Sequence, residues 1–512
     1  MKKILYTAAL SALIIAGAGC SKSKLNLLPF NQLATSAAFA NQADFTYAVN
    51  GMYQNLKSTT QTSYIVGAWN IVGDVLADNL VLSQAGRQSQ KTYYLYTYSS
   101  SSTYGLFTQG YTTVRRANAI LENIGNLPNG TFKNDVQGQA LALRGMVYFD
   151  MARVYSKTYL NASDADFTVP YVTTTDATNL PGSEPVKGFY DKVIADLVAA
   201  EALINPLATN KDIYLNKEAV AGLLSRVYLY KGDYANCIAQ ANIALGTTPN
   251  LPSIATFPAI WTDATESGVL FKVKNTTIDN LNVLGVNYYQ YTPPPAGNPT
   301  GNGYKSEYLP DFGLYQQYDN TDVRKSTYFL TYYFNGSLYN NIIKYAGRSG
   351  PPISATGVVN TNTLNAAGVV DGKVIRTAEV LLNKMEAEYR SGATGPALVD
   401  LELLKAARYT GYVATNADPI TLVSDASLTG TALLTEILRQ RRLELAFEGD
   451  RFWDLKRLNL PVVRTNKGEK ADGSGVPPSI AGLAAGDYRF QLPIPQSEII
   501  FNPKIKQNPG NY

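Results

Sequence analysis

Apolar residues recur with helical period along much of the chain. Within Gln137 to Tyr155, the residues Ala140, Leu143, Val147, Met151 and Val154 fall three or four apart, which predicts one face of an amphipathic helix. Tyr111 to Ile124 predicts its helical partner. Phe189 to Leu203, Lys217 to Tyr230 and Tyr234 to Leu245 follow in the same pattern, and Gly232 suits a left-handed helix end between the last two. In that pair Ala221, Leu224, Tyr228, Tyr234, Cys237, Ala241 and Ala244 fall near the small and aromatic positions of a tetratricopeptide repeat of about 34 residues. A weaker echo runs from Val380 to Ala407, with Gly392 at the turn. Such pairs must stack, because none buries its apolar face alone. Cys237 reads as a small packing residue rather than a redox group.

Near the C-terminus, RQRRLELAFEGDRFWDLKRL (Arg439 to Leu458) predicts one more helix. Leu443, Leu445, Ala446, Phe452 and Leu455 are its apolar members, and Arg441, Arg442, Glu444 and Glu448 place opposite charges three and four apart. FQLPIPQSEIIFNPKIKQNPGNY (Phe490 to Tyr512) is extended, broken by Pro493, Pro495, Pro503 and Pro509. Tyr94, Tyr96 and Tyr98 at period two predict one face of a strand, lining a site or packing on a helix. Tyr328 to Phe334 alternates imperfectly and predicts a strand or buried segment. Trp69 lies in a predicted helix over 67–80, where a core role competes with a ligand platform.

The N-terminus has a different pattern. Lys2 and Lys3 precede an apolar run from Ile4 to Ala16, and Gly17, Ala18 and Gly19 lead into Cys20. This is a secretory signal of the lipoprotein kind, too short to span a bilayer. Acylated Cys20 would anchor the chain, since two or more acyl chains exceed the marginal hold of one. Ordinary cleavage leaving a free thiol is the alternative. Gly17 replaces the usual leucine, and Lys22 and Lys24 stand where surface-exported lipoproteins often carry acids.

Composition removes most enzyme chemistry. The 512-residue chain has 44 Lys and Arg against 40 Asp and Glu, so it offers no basic footprint for nucleic acid. It contains no histidine and only two cysteines, which excludes Ser-His-Asp and Cys-His catalysis and His- or Cys-built metal sites. No cofactor motif is present. Asp450 and Asp454, like Glu444 and Glu448, are four apart. Neighbours on one helix turn are too constrained to flank a sugar bond, and the surrounding arginines favour a structural ion network.

Tyrosine is abundant, 36 against 17 Phe, and twelve of the 36 fall between residues 281 and 350. PPPAGNPTGNG (Pro293 to Gly303) and RSGPP (Arg348 to Pro352) are loop compositions among them. Tyrosines on such loops give rigid amphipathic contact at low entropic cost. An aromatic plane can cover the C–H face of a sugar while Asn287, Asn298, Asn302 or Asp311 bonds its hydroxyls. The candidate ligand-binding residues are Trp69, Tyr94, Tyr96, Tyr288, Tyr289, Tyr291, Tyr304 and Tyr308.

The helix motif at Arg439 to Leu458 and the Pro-studded tail, in that order and at the C-terminus, closely resemble the SusD/RagB family of Bacteroidetes outer-membrane nutrient-binding lipoproteins. Lys24 to Leu56, Tyr111 to Ile124 and Ala378 to Tyr389 also match the family's pattern. The resemblance implies a mostly α-helical SusD-like fold, with tetratricopeptide-like helix pairs and a loop-rich ligand-binding segment. It implies a non-catalytic lid on a SusC-like TonB-dependent transporter, capturing an oligosaccharide at the outer membrane, surface-exposed and tethered by its lipid. The alternatives are an oligopeptide-uptake lid of the RagB type and a membrane-anchored tetratricopeptide scaffold that binds only protein. The expected organisation is a signal peptide over 1–19, a helical region over 20–245, a Tyr-rich segment over 246–370 and a C-terminal region over 371–512.

Overall fold

The computed structural model describes residues 38–57, 64–84, 86–101, 105–205, 213–276, 288, 290–291, 297–298, 303–348, 369–510 and 512. Cys20 and Tyr289 lie outside them, as do Asn287 and Asn302.

The N-terminal elements are α1 (Gln42–Gln54), a π turn (Tyr64–Trp69), α2 (Asn70–Val75), β1 (Leu80–Leu82) and α3 (Lys91–Tyr94). The helical frame follows: α4 (Leu106–Asn123), α5 (Thr131–Tyr155), α6 (Val186–Leu203), α7 (Lys217–Lys231) and α8 (Tyr234–Leu245). Next come α9 (Phe257–Trp261), β2 (Val269–Val273), β3 (Gln290–Tyr291), β4 (Tyr304–Lys305) and β5 (Tyr308–Pro310). They lead to α10 (Phe312–Tyr315), α11 (Val323–Tyr328), β6 (Phe329–Phe334), β7 (Ser337–Ile342) and β8 (Gly372–Arg376). The chain closes with α12 (Thr377–Arg390), α13 (Thr394–Ala406), α14 (Gly430–Glu444), α15 (Arg451–Arg457), β9 (Val462–Val463), β10 (Gly482–Leu483) and α16 (Gln496–Phe501).

The helices stack in sequence order, α4 on α5, α5 on α6, α6 on α7 and α7 on α8. The array then jumps from α8 to α12, which packs on α13 and α14. Close approach needs small residues: a Cβ on Gly145 of α5 would lie 2.8 Å from the Leu197 side chain of α6. Gly232 ends α7 with φ +78°, as its sequence position predicts, and Gly392 turns α12 into α13 with φ +88°. Buried bidentate pairs fix which helices meet. Arg144 of α5 donates to Asp196 of α6 at 2.6 and 2.7 Å, and Arg226 of α7 donates to Glu379 of α12 at 2.6 Å twice. Cys237 is buried against the Asn383 carbonyl, and burial pushes its thiol pKa up, away from redox chemistry.

Two expectations need correction. Arg439 to Leu458 is not one helix: α14 stops at Glu444 and α15 starts at Arg451. Phe447 (φ +68°) and Gly449 (φ +86°) turn the chain between them, and a Cβ on Gly73 would sit 1.8 Å from the Gly449 carbonyl. At the break, this turn lies against α2. Tyr94, Tyr96 and Tyr98 share no strand, because α3 ends at Tyr94 and Tyr96 adopts φ +54°. The tail is extended as expected, apart from the single short helix α16.

Candidate functional site

The charged motif and the Tyr-rich segment meet in one buried region. Glu444, fully buried at the end of α14, accepts from Arg376 Nη1 at 2.9 Å and from Arg408 Nε and Nη2 at 2.8 and 2.9 Å. Arg324 Nη1 approaches at 3.4 Å. Burial alone would raise the Glu444 carboxyl; the Arg408, Arg376 and Arg324 guanidiniums outweigh it and hold the pKa well below the usual carboxylate range. Glu448 accepts from Lys344 and Arg376, and Asp454 from Arg441 and Arg457. Asp450 accepts from Arg153 of α5, and Asp78 takes both nitrogens of Arg451. The ion network expected of this motif is present, but its partners come mostly from other elements.

Breaking a helix leaves backbone carbonyls without partners. Here the Tyr-rich segment supplies them. Tyr318 Oη donates to the Leu443 carbonyl at 2.9 Å, Tyr328 Oη to Glu444 at 3.1 Å and Tyr345 Oη to Phe447 at 2.9 Å. Lys344 Nζ donates to Ala446 at 2.7 Å, with its ammonium 4.1 Å from the Trp261 and Tyr328 ring centres. Burial pulls the Lys344 pKa down to about 8 despite Glu448.

That architecture decides where the candidate ligand residues sit. Trp69 stacks on Trp453 at 5.9 Å, with the Arg153 guanidinium 4.4 Å from its ring. Tyr94 lies under Arg464 at 3.8 Å. Tyr96 Oη donates to the Leu76 carbonyl at 2.6 Å, and Tyr288 Oη to Asn70 at 3.2 Å. Tyr308 Oη accepts the Gln90 N–H at 2.8 Å. All five are buried, so their rings face protein and offer a ligand no surface in this conformation. For Tyr96, Tyr288 and Tyr308 the physical reason is common: a phenol is mostly apolar, and one buried backbone group satisfies its hydroxyl. Asp311 is likewise occupied, capping α10 and accepting from Thr465. Asn298 is exposed.

The remaining two, Tyr291 and Tyr304, are Cα partners across the antiparallel pair β3–β4. That pair packs on the β6–β7 hairpin, where Gly303 lies against the Tyr333 carbonyl. The hairpin turns at Asn335 (φ +46°) and Gly336 (φ +78°), a two-residue loop with the twist that antiparallel strands need. Phe329 and Leu330 enter the core, but the outer half of β6 turns to solvent. Tyr333 is 38 % exposed opposite Leu338 at 40 %, while Tyr332 and Phe334 are half-buried. The Ala471 N–H donates to the Leu338 carbonyl and Asn340 Nδ2 donates to the Ala471 carbonyl, which holds the hairpin from the far side. Treating Tyr328 to Phe334 as packing alone missed this exposed edge. The Asn-Gly pair following it was the available signal.

Chemically, the surface can cover an apolar ring face and bond hydroxyls. Among the described residues no group of His, Cys, Asp and Glu is arranged to hold a metal ion, and no helix is long and apolar enough to cross a membrane.

Comparison with known proteins gives a consistent answer. Residues 286–511 match the family model described as the SusD family, and residues 28–229 match one described as starch-binding associating with outer membrane. A curated relative, SusD-like protein P2 of Formosa agariphila, is 24 % identical over the full length of both chains. SusD-like protein P38 of the same organism is 25 % identical over 95 % of each. The crystal structure of a SusD superfamily protein from Bacteroides thetaiotaomicron superposes with a TM-score of 0.74 at 23 % identity, covering 92 % of this chain and 100 % of that one. A SusD-like carbohydrate binding protein from Bacteroides vulgatus gives 0.73 at 19 % identity, covering 91 % and 98 %.

Proposed function

Because this chain belongs to the SusD/RagB family of Bacteroidetes outer-membrane proteins, whose members bind nutrients without catalysis, we propose that it captures oligosaccharides for uptake. In this reading the chain is tethered by acylated Cys20 at the cell surface and closes over a SusC-like TonB-dependent barrel. The stacked helices give it a rigid body, and the β-layer holds the ligand. The observation that carries the glycan reading is the solvent-facing edge of the β6–β7 hairpin. There Tyr333 and Leu338 lie exposed as a cross-strand pair, beside the paired strand positions Tyr291 and Tyr304.

An aromatic ring with an aliphatic neighbour suits the apolar face of a sugar, and the phenol hydroxyls reach its rim. Tyr291, Tyr304 and Tyr333 are therefore the residues assigned to ligand contact. Affinity electrophoresis in gels containing starch and other soluble glycans tests this. Tyr333→Ala should weaken binding of the retarding glycan roughly tenfold, about 1.4 kcal/mol, with unchanged thermal stability. Retardation by none of the glycans, together with binding of an oligopeptide library, would replace the sugar by a peptide. Purification from native outer membranes in mild detergent tests the partner, which should be a large barrel in near-equal amount.

A further inference from the structure

A second feature stands apart from the hairpin and shares no residue with it. The C-terminal ends of α5 and α15 and the 3-10 turn Tyr488–Phe490 enclose a small pocket of ≈ 160 Å³, open to solvent on one side. Three of its lining side chains are polar and more than nine-tenths buried: Thr158 is 7 % exposed, Lys456 8 % and Gln491 8 %.

Their hydrogen-bonding capacity is largely unused. Thr158 Oγ1 has no partner among the described residues, but it is sealed from the pocket. Among the described residues Lys456 Nζ makes one bond, to the Arg153 carbonyl at 2.6 Å, leaving two N–H groups and no carboxylate within ion-pair distance. Burial, with no acid to offset it, pulls its pKa well below the ordinary lysine range. Gln491 lines the pocket, and its carboxamide makes no hydrogen bond to another described residue. Leaving buried polar groups unmade is costly, so such convergence points to a ligand that completes them. Phe490, stacked on Phe452 at 4.7 Å, and Leu460 supply an apolar wall. Asn161 and Asn459 stand at the exposed rim.

Charge decides the ligand class. The 25-residue helix α5 directs its negative end here, equivalent to roughly half a charge, and α15 adds a smaller share. Together these offset most of the Lys456 ammonium. Lys157 and Asp487 are already neutralised by Asp166 at 2.8 Å and Arg489 at 2.7 Å. The pocket therefore has little net charge to offer an anion.

We infer that this pocket is a second saccharide site, holding one neutral hydroxylated ring against Phe490 with its hydroxyls on Lys456 and Gln491. The ligand class rests on the glycan reading above, while the location does not. Titration of the purified chain with D-glucose, D-galactose and D-mannose by calorimetry tests it, with D-glucuronate and glycerol as controls. At least one neutral sugar should saturate, and Gln491→Leu and Lys456→Met should each weaken it at least tenfold. Lys456 also serves the end of α5, so if Lys456→Met does not fold, Gln491→Leu alone decides. Tyr333→Ala should leave this binding unchanged while weakening that of the hairpin-bound oligosaccharide roughly tenfold, which separates the two sites. Saturation by none of the three sugars, tighter binding of glucuronate, equal binding of glycerol, or variants indistinguishable from wild type would each overturn the inference.

Discussion

Glu444→Gln probes the physical reason for the charged motif. The substitution keeps the side-chain volume and removes the charge that three guanidiniums face. Arg408 makes two of the bonds, at 2.8 and 2.9 Å, Arg376 a third at 2.9 Å, and Arg324 stands at 3.4 Å. A glutamine keeps one acceptor oxygen but turns an N–H₂ toward donors, so the Arg408 fork loses its match and three buried cations lose their shared anion. Removing one partner from a buried ion pair costs about 3–5 kcal/mol, because the remaining charge stays desolvated. Urea unfolding followed by tryptophan fluorescence reads this directly, since Trp69, Trp261 and Trp453 are all buried. Asp164→Asn is the control: its pair with Lys187 is 3.4 Å long and exposed, and should contribute very little. The pH dependence gives an independent check. The folded-state pKa of Glu444 lies well below the ordinary 4.5, so its stabilisation is present above that value and is lost as pH falls through the folded value. The gap between wild type and Glu444→Gln should therefore narrow under acid conditions. A variant within about 1 kcal/mol of wild type at neutral pH would refute the account, since it would mean the arginines are satisfied without this carboxylate.

Two further outcomes follow from the same region. Gly449→Ala places a Cβ 2.2 Å from the Trp69 carbonyl at φ +86°, so it should destabilise by several kcal/mol, on the order of 3 or more, read as a fall in the urea midpoint. Burial raises the Asp74 carboxyl from 3.8 to about 6, against opposing bonds from Asn79 and the Gly449 N–H. A raised folded-state value means stability present at low pH and lost as pH rises from about 4 through about 6, so the stability of Asp74→Asn relative to wild type should move in the variant's favour by about 3 kcal/mol between pH 4 and 7. A difference independent of pH would sink that assignment.

What the chain determined locally was legible in it. Helices α5, α7, α8 and α12 follow from spacing of apolar residues, and the turns at Gly232 and Gly392 from the freedom of glycine at positive φ. The family, and with it the non-catalytic role, was carried by the two C-terminal motifs because their residues are bound into one packing solution. The ion network was also foreseeable, since so many opposite charges within one apolar segment must find partners. Which partners they find was not. Glu444 meets Arg376 and Arg408, and Asp78 meets Arg451, across separations that no local spacing encodes.

The same limit governed the tyrosines. Composition marked residues 281–350 as special, but a tyrosine reads alike whether its hydroxyl meets water, a sugar or a buried carbonyl. Tertiary structure decided that Tyr318, Tyr328 and Tyr345 complete the broken end of α14, that Tyr288 and Tyr308 join the core, and that Tyr333 faces outward. The break at Phe447 to Gly449, which creates the unpaired carbonyls those hydroxyls serve, lies where Gly449 meets Gly73, far away in sequence. Local sequence sets backbone preference and periodicity; which face of an aromatic residue is covered depends on what the rest of the chain brings against it.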